Sequence, residues 1–557
     1  MTPTIPVIWL SLHEGIDARG PWDTRMLEAL FAGELWPHHL KFEHYVISPG
    51  GYQAQDSHSS WSGRAIVVVP AAHHVDDVES INQFINFFDS VLLILCGDEL
   101  GVFPWKEIKH PNIKFWVQAP DPKHYADMAP WGYFFGWGWG AATPQLITEG
   151  WPEMDSKDIL WSFSGQVTNS RRKQAANGLR RARARVAGLF RPTEGFSQGA
   201  APADYARELA HSWIVPCPSG PHSVDSFRVY EALEAGCIPL VDTESPQGFV
   251  DYWNFVYGPS HPLPMVSNWE TIGGTIEYLL ANRCRKAAEC AAWWKMVKST
   301  MVFRLIEDLT ALQIIPKHEH DVQAIVTTSP IPSNPSLDIL WSTIASVENH
   351  LGEIDIMVAC DGVRPEQEHM TKAYDRFLYC LCSWARTKPN VLPLIAPEWG
   401  HQANLAKRAL MYVDSPCFLF MEHDTPLTAD DIDWQGAIDV VSNGHIDVLR
   451  FHHESHILDV HQYLMIDDVT KTIIGVPLRR TKQWSQRPHL ANTDYYKKML
   501  RVHFPSSSRT MIEDVLHSVA QREAGHRIAI YHPEGSIQRS DHLDGRGGLP
   551  KYEMKMK

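Results

Sequence analysis

The sequence predicts an α/β protein made of two Rossmann-like domains followed by a third domain of nucleotide-binding type. Three observations point there. Short apolar runs alternate with longer segments of helical spacing along most of the 557 residues, the mark of parallel strands joined by crossover helices. The alternation lapses at the polar stretch 314–323, broken by Pro316, and restarts cleanly at AIVTTSP, residues 324–330. A chain of this length is also too long for one core, and roughly three or four domains are expected. The divisions that follow are 1–150, 151–316 and 317–557.

In the first domain PVIWLSL, AIVVVP (65–70), VLLILCGDE (91–99) and IKFWVQ (113–118) read as buried strands, and VESINQFINFFDS reads as a helix. In the second, ILWSFSG, WIVPCPSG and CIPLVD are strands, and 281–312 is a long helical stretch. In the third, AIVTTSP, EIDIMVACDG (353–362), CFLFMEHD (417–424), IDVLRFH (446–452) and IAIYHP (528–533) are strands. Ligands of such sheets bind at the carboxyl ends of the strands.

Composition narrows the function. A hydrophobic share of 44% and a charged share of 21% are ordinary for a soluble globular chain. The net charge of −15 opposes a general affinity for nucleic acid or anionic membrane, since either needs a basic face. RRARAR at 180–185 is a local exception and reads as a solvated helix face. Nine scattered cysteines without a CxxC pair read as reduced thiols. MTPTIPVIWLSLHEG lacks a basic n-region and reads as a first strand rather than a signal peptide. With no uninterrupted apolar stretch of membrane-spanning length, no membrane span and a cytoplasmic location are expected.

Two constellations carry the chemistry. The first is CPSGPHSVDSFRVYEALEAGCIPLVD, residues 217–242. Pro218, Gly220 and Pro221 make a loop, Ser223, Asp225 or Ser226 can cap a helix, and Gly236 ends it. A helix N-terminus is thereby delivered to the carboxyl edge of a sheet, where unpartnered N–H groups and the dipole favour an anion. Ser226 and Arg228 can add donors for a diphosphate, and Glu231, one turn further, can take both hydroxyls of a ribose. The alternative is a surface ion pair between Arg228 and Glu231. The string Ser226, Arg228, Glu231, Ala232, Gly236, Cys237, Ile238, Pro239 resembles the donor-binding motif of exostosin-like glycosyltransferases, which have the two-Rossmann GT-B fold; SFSG (162–165) with Arg171 and Arg172 is in keeping with that family. The resemblance implies a nucleotide-sugar donor on domain 151–316, with Arg171 among its contacts, and an acceptor on domain 1–150. It implies no metal there. The base of this half is open between His13 and Glu14, after the first strand, and Asp98 and Glu99, after VLLILCG.

The second constellation starts from FLFMEHDTPL, 418–427. Residues two apart on a strand point the same way, so Glu422 and Asp424 face one side as the strand leaves the sheet. Two such carboxylates repel unless a cation lies between them, and a hard divalent ion suits oxygen ligands. A salt bridge or an N-cap explains E-x-D equally when it stands alone. Here it stands with AIVTTSP, with Asp361 ending another strand, with the helix-forming stretch 400–416, and with the late pair Glu513–Asp514. That order resembles the inverting A-type (GT-A, family-2-like) glycosyltransferases over about 324–542. The resemblance implies that Thr328 and Pro330 border the nucleotide base and that Asp361 binds base or ribose. It implies that Asp424, helped by Glu422, holds Mn²⁺ or Mg²⁺, with His542 as a late metal or phosphate contact. Asp514 is then the catalytic base, with Glu513 next in line. Where the family has a first aspartate, this chain has Glu422.

The aromatic run WGYFFGWGWG (131–140) reads as core or interface filler, with sugar stacking as the alternative. Among the 29 histidines none has zinc spacing, FHHESH included. The expectation is a bifunctional glycosyltransferase, hexosyl or pentosyl, drawing on UDP- or GDP-sugars and acting on a glycan, glycolipid or glycoprotein. One living site with the other module as scaffold, or a carbohydrate-binding protein without catalysis, are the competing readings.

Overall fold

Every apolar run expected as a strand forms one. The computed structural model describes residues 4–11, 41–48, 63–75, 77–128, 132–135, 146, 151–195, 198–248, 250–315, 321–535 and 537–543. The chain divides into two units, Met1–His318 and Glu319–Lys557.

The first unit holds two parallel sheets. One is built of β1 (Thr4–Leu10), β2 (Lys41–Ile47), β3 (Arg64–Val69), β4 (Ser90–Leu95), β5 (Ile113–Gln118) and β6 (Gly132–Phe135), in the order β2-β1-β3-β4-β5-β6. The other is built of β7 (Ile159–Gln166), β8 (Leu189–Thr193), β9 (Ser212–Cys217), β10 (Ile238–Asp242) and β11 (Met265–Val266), in the order β11-β10-β9-β7-β8. The strands VVV of β3 and LLIL of β4 are apolar on both faces because helices cover both. The helical stretch 281–312 becomes helix Arg283–Ala311, and Leu305 and Leu309 on it join Ile66, Leu92 and Trp116 of the first sheet in one apolar cluster. Trp116 Nε1 donates to Asp308 Oδ2 of that helix at 3.0 Å. Within the aromatic run, 132–135 forms β6, and Phe134 stacks on Phe255 with centroids 4.8 Å apart; the rest of the run lies outside the described residues.

The second unit is a nine-stranded mixed sheet, described in chain order as β12 (Val322–Thr328), β13 (Ile356–Cys360), β14 (Val391–Ile395), β15 (Cys417–Glu422), β16 (Val448–Arg450), β17 (Lys471–Ile473), β18 (Val476–Thr481), β19 (His489–Asn492) and β20 (Ile528–Tyr531). Its order is β14-β13-β12-β15-β19-β16-β20-β18-β17. β15 and β16 each pair antiparallel with β19, so the carboxyl ends of both lie on one edge, with those of β12 and β13.

RRARAR is the exposed end of helix Ser170–Arg183 and the turn after it, with Arg181 and Arg185 paired to Glu270 and Glu277. The nine cysteines are free thiols. Among the described residues no helix is long and apolar enough to cross a membrane.

Helix Ser170–Arg183 carries Arg171 and Arg172, and its seating depends on Gly178, where a Cβ would lie 1.9 Å from the carbonyl oxygen of Trp269. Alanine at a free helical position stabilises by about 1 kcal/mol, but forcing atoms into closed space costs about 1–3 kcal/mol. Gly178→Ala is therefore expected to lower the urea midpoint of the first unit, and an unchanged or higher midpoint would contradict this packing.

Candidate functional site

In the first unit the loop after β9 brings helix Phe227–Glu234 to the carboxyl edge of its sheet. Ser226 is the N-cap residue. Ser223 and Asp225 brace the loop instead of capping. Ser223 Oγ donates to Asp225 Oδ1 at 2.8 Å, and Asp225 Oδ2 accepts the hydroxyls of Tyr230 and Tyr252 at 2.9 and 2.8 Å. Gly236 ends the helix at a φ of 66°, and the N–H of Cys237 donates to the carbonyl of Ala232 at 2.9 Å.

This helix N-terminus opens into a cavity of about 730 Å³, within the range of nucleotide-sized ligand sites. Ser226 Oγ and Arg228 Nε and Nη1 are buried there without hydrogen-bond partners. Arg228 Nη2 donates to the carbonyl of Ser164 at 3.1 Å, and the guanidinium lies over the Phe163 ring. Gly165 makes this approach feasible, since a Cβ there would sit 2.1 Å from Nη2. Glu231, 1% exposed, lines the same cavity. Arg228 and Glu231 are thus buried cavity groups rather than an exposed surface pair. Buried donors left unmade cost free energy that an acceptor ligand restores.

The neighbouring arginines part company. Arg171, expected at the donor, does not line the cavity; its guanidinium is taken by Asp242 and, at 2.8 Å, by Glu244. Arg172 lines it, donates from Nε to the carbonyl of Ser219 at 3.1 Å, and is pulled down to about 9 by burial and then by the Arg228 cation. Two buried like charges disfavour one another, and a bound anion relieves them.

Asp98 and Glu99 also separate. Asp98 is fully buried and accepts the N–H groups of Val102 and Phe103 at 3.1 Å each and the Tyr125 hydroxyl at 2.6 Å. Glu99 lines the cavity and is pushed up to about 7 by burial and then by Asp225, against the pull of the nearby Ser223 N–H. His13 and Glu14 lie outside the described residues.

In the second unit, three groupings form at the carboxyl edge. Asp424 is buried and lies 3.4 Å from His542 Nε2. The strand end and the late segment are laced together, with Leu543 N–H donating to Asp424 O at 2.8 Å and Asp541 N–H to Pro426 O at 2.8 Å. Glu422 is turned elsewhere. Its Oε1 accepts Gln402 Nε2 at 2.8 Å, while Gln402 Oε1 accepts Gln486 Nε2 at 2.9 Å and Ile512 N–H at 3.1 Å. Glu513 Oε2 accepts the N–H of Gln486 at 2.9 Å. Glu422 and Glu513 are therefore anchored through one pair of glutamines. Asp514, beside Glu513 in the first turn of helix Ile512–Arg522, is exposed.

The third grouping surrounds Asp361. Its oxygens accept the N–H groups of Gly362, Gly400 and His401 at 2.9, 2.8 and 3.0 Å, and burial pushes the carboxyl up against these bonds. The His401 ring is pulled down by burial and Arg364 and pushed up by Asp361 and Asp514, which places Asp514 within electrostatic reach of this group. A cavity of about 270 Å³ adjoins Asp361, with Trp399 and the cations Lys407, Arg408 and Arg509 among its walls. Thr328 ends β12 with its Oγ1 buried and unpartnered, and Pro330 is buried two residues on.

One grouping escaped the sequence. Ligand atoms of His452, His453 and Glu454 lie within 4.8 Å of one another after β16. Consecutive residues match no metal spacing, so only the turn reveals them. Arg487 donates to His453 Nε2 at 3.2 Å and buried Arg450 adds a second cation, surroundings that disfavour a metal ion.

No protein-family model matches the sequence, and no curated protein does. Among solved structures, the chain is similar to TarS 1-349 of S. aureus, with 15% identity, 40% of this chain and 60% of that chain covered, and a TM-score of 0.27. It is similar to GalNAc-T7 solved with UDP, GalNAc and Mn²⁺, with 8% identity, coverage of 41% and 44%, and a TM-score of 0.29. It is also similar to the mannosyltransferase PcManGT from Pyrobaculum calidifontis solved with GDP-Man and Mn²⁺, with 13% identity, coverage of 39% and 59%, and a TM-score of 0.26. The chain thus spans less than two thirds of the length of each of these structures.

A carboxyl raised from 4.5 to about 7 on folding binds its proton more tightly in the folded state. Its stability contribution is full below about 4.5 and is lost as pH rises towards 7. Glu99→Gln, which cannot ionise, is expected to raise Tm at pH 8 and to flatten the fall in Tm between pH 5 and pH 8. Melts of wild type and variant at both pH values check this, and parallel pH dependences would refute it.

Proposed function

We propose that the chain is a glycosyltransferase with two nucleotide-sugar sites, adding hexosyl or pentosyl groups to a glycan, glycolipid or glycoprotein. The observation that carries the reading is the cavity of about 730 Å³ at the N-terminus of helix Phe227–Glu234, where Ser226 and Arg228 keep buried donors without partners. A UDP- or GDP-sugar supplies what these groups lack. Its diphosphate meets Ser226, Arg228, Arg172 and the helix N-terminus, and its ribose hydroxyls meet Glu231. Domain 151–316 is then the donor side and domain 1–150 the acceptor side of a GT-B pair, followed by the GT-A module 317–557.

In that module Thr328, Pro330 and Asp361 border the nucleoside. Asp424 and His542, 3.4 Å apart, offer an oxygen and a nitrogen to one ion. They fit Mn²⁺ or Mg²⁺, while Glu422, held by Gln402, does not join them without letting that bond go. Such an ion, when bound, supplies positive charge for the leaving diphosphate. Asp514, exposed in the first turn of its helix, accepts the proton of the acceptor hydroxyl as that oxygen attacks the anomeric carbon, giving inversion. Glu513, tied to Gln486, keeps that helix in register.

A second reading has one transferring module and one that only binds. The three N–H groups on Asp361 and the turned Glu422 favour it for the second unit.

A thermal-shift screen of UDP- and GDP-sugars with and without Mn²⁺ tests both. A ligand at a hundred times its Kd stabilises by about 2.7 kcal/mol. One metal-independent response, lost in Arg228→Ala, and one Mn²⁺-dependent response, lost in Asp424→Asn, are expected. A single response selects the second reading, and none at all refutes the proposal. Asp514→Asn is expected to keep the Mn²⁺-dependent response while lowering transfer by about 10²–10⁴-fold; undiminished transfer removes Asp514 from the reaction.

A further inference from the structure

We infer that Glu99 is the catalytic base of the first unit, taking the proton of an acceptor hydroxyl in the cavity that holds Ser226, Arg228 and Glu231. The inference rests on the donor-site reading of that cavity.

Glu99 leaves the first sheet just beyond β4, yet it lines a cavity whose other described walls belong to 164–231. It is the described residue through which domain 1–150 reaches that space. The N–H of Ser223 lies close enough to pull its carboxyl down, so the loop that ends at Ser226 runs beside it. The cavity's other carboxylates are Asp225 and Glu231, and Glu208 adjoins it through Ser164. Asp225 accepts Ser223, Tyr230 and Tyr252. Glu208 accepts Ser164 Oγ at 2.5 Å and pairs with Arg191 at 3.2 Å. Glu231 lies one turn inside the helix whose first turn bears Arg228, on the ribose side of the donor reading.

The charged and titratable groups that share the cavity with Glu99 are Asp225, Glu231, Arg172, Arg228 and Tyr205. Burial and Asp225 outweigh the Ser223 N–H and push Glu99 up to about 7. A carboxylate that titrates near neutrality is suited to accept a proton at working pH. Asp98, one residue earlier, has its oxygens taken by Val102, Phe103 and Tyr125.

The step balances as a single displacement. The acceptor oxygen forms a bond to the anomeric carbon, the bond from that carbon to the diphosphate oxygen breaks, and its electron pair leaves on the diphosphate. The hydroxyl proton passes to Glu99.

The test uses the full chain carrying Asp514→Asn, which silences the other proposed base, with and without Glu99→Gln. The UDP- and GDP-sugar that gives the metal-independent thermal shift is the probe, and nucleoside diphosphate release is followed from pH 5.5 to 8.5. The expected result is an unchanged donor shift in Glu99→Gln, with release slowed by about 10²–10⁴-fold and the rise in rate through pH 7 abolished. A chain that no UDP- or GDP-sugar stabilises overturns the donor reading and this inference with it. A chain that binds donor but releases no diphosphate, or releases it at the parent rate and pH profile with Glu99→Gln, overturns the role of Glu99 alone.

Discussion

The first unit depends on a buried carboxylate held by its own loop and by neighbouring helices. Asp225 accepts a serine hydroxyl on one oxygen and two tyrosine hydroxyls on the other. Burying an unpaired charge is expensive, so the loop cannot open without breaking all three bonds. That constraint holds the helix N-terminus where Ser226 and Arg228 face the cavity. Burial, and after it this charge, keeps the phenols of Tyr230 and Tyr252 far above their usual range, and the charge reaches Glu99 across the cavity. One acid thus shapes the site and tunes its neighbour.

Gln402 plays the matching part in the second unit. A neutral amide can donate and accept at once, and Gln402 uses both abilities to join the end of β15, the 486 turn and the start of helix Ile512–Arg522. A charged side chain there would have to be paired within the same small space. The consequence is a division of labour between acids two residues apart: Glu422 anchors, and Asp424 is left beside His542.

Much of the architecture was legible as apolar periodicity. The interior strands carry runs such as IVVV and LLIL because both faces are covered. Most strands that went unseen are short or at an edge; β18, six residues between β20 and β17, is the exception. β8 is LFRPT, with Arg191 and Pro192 exposed, and β17 is KTI. A strand paired on one side only need not be apolar, so its composition resembles a loop. β2, KFEHYVI, is also a sheet edge and alternates charged with apolar residues.

The amino-acid order by itself determined most interior strands, the glycine-ended helix after β9 and the acids at strand ends, because periodicity, caps and turn residues act over a few positions. Only the tertiary structure decided which of two neighbours faces the cavity. Arg171 and Arg172 are one step apart on a helix, about 100° in azimuth, and Asp242 takes the first. Asp98 and Glu99 are adjacent after β4, and the N–H groups of Val102 and Phe103 take the first. His542 meets Asp424 only because Leu543 and Asp541 donate back to the strand end. Apart from the Val102 and Phe103 N–H groups, these partners lie tens of residues or more away, where no local pattern encodes them.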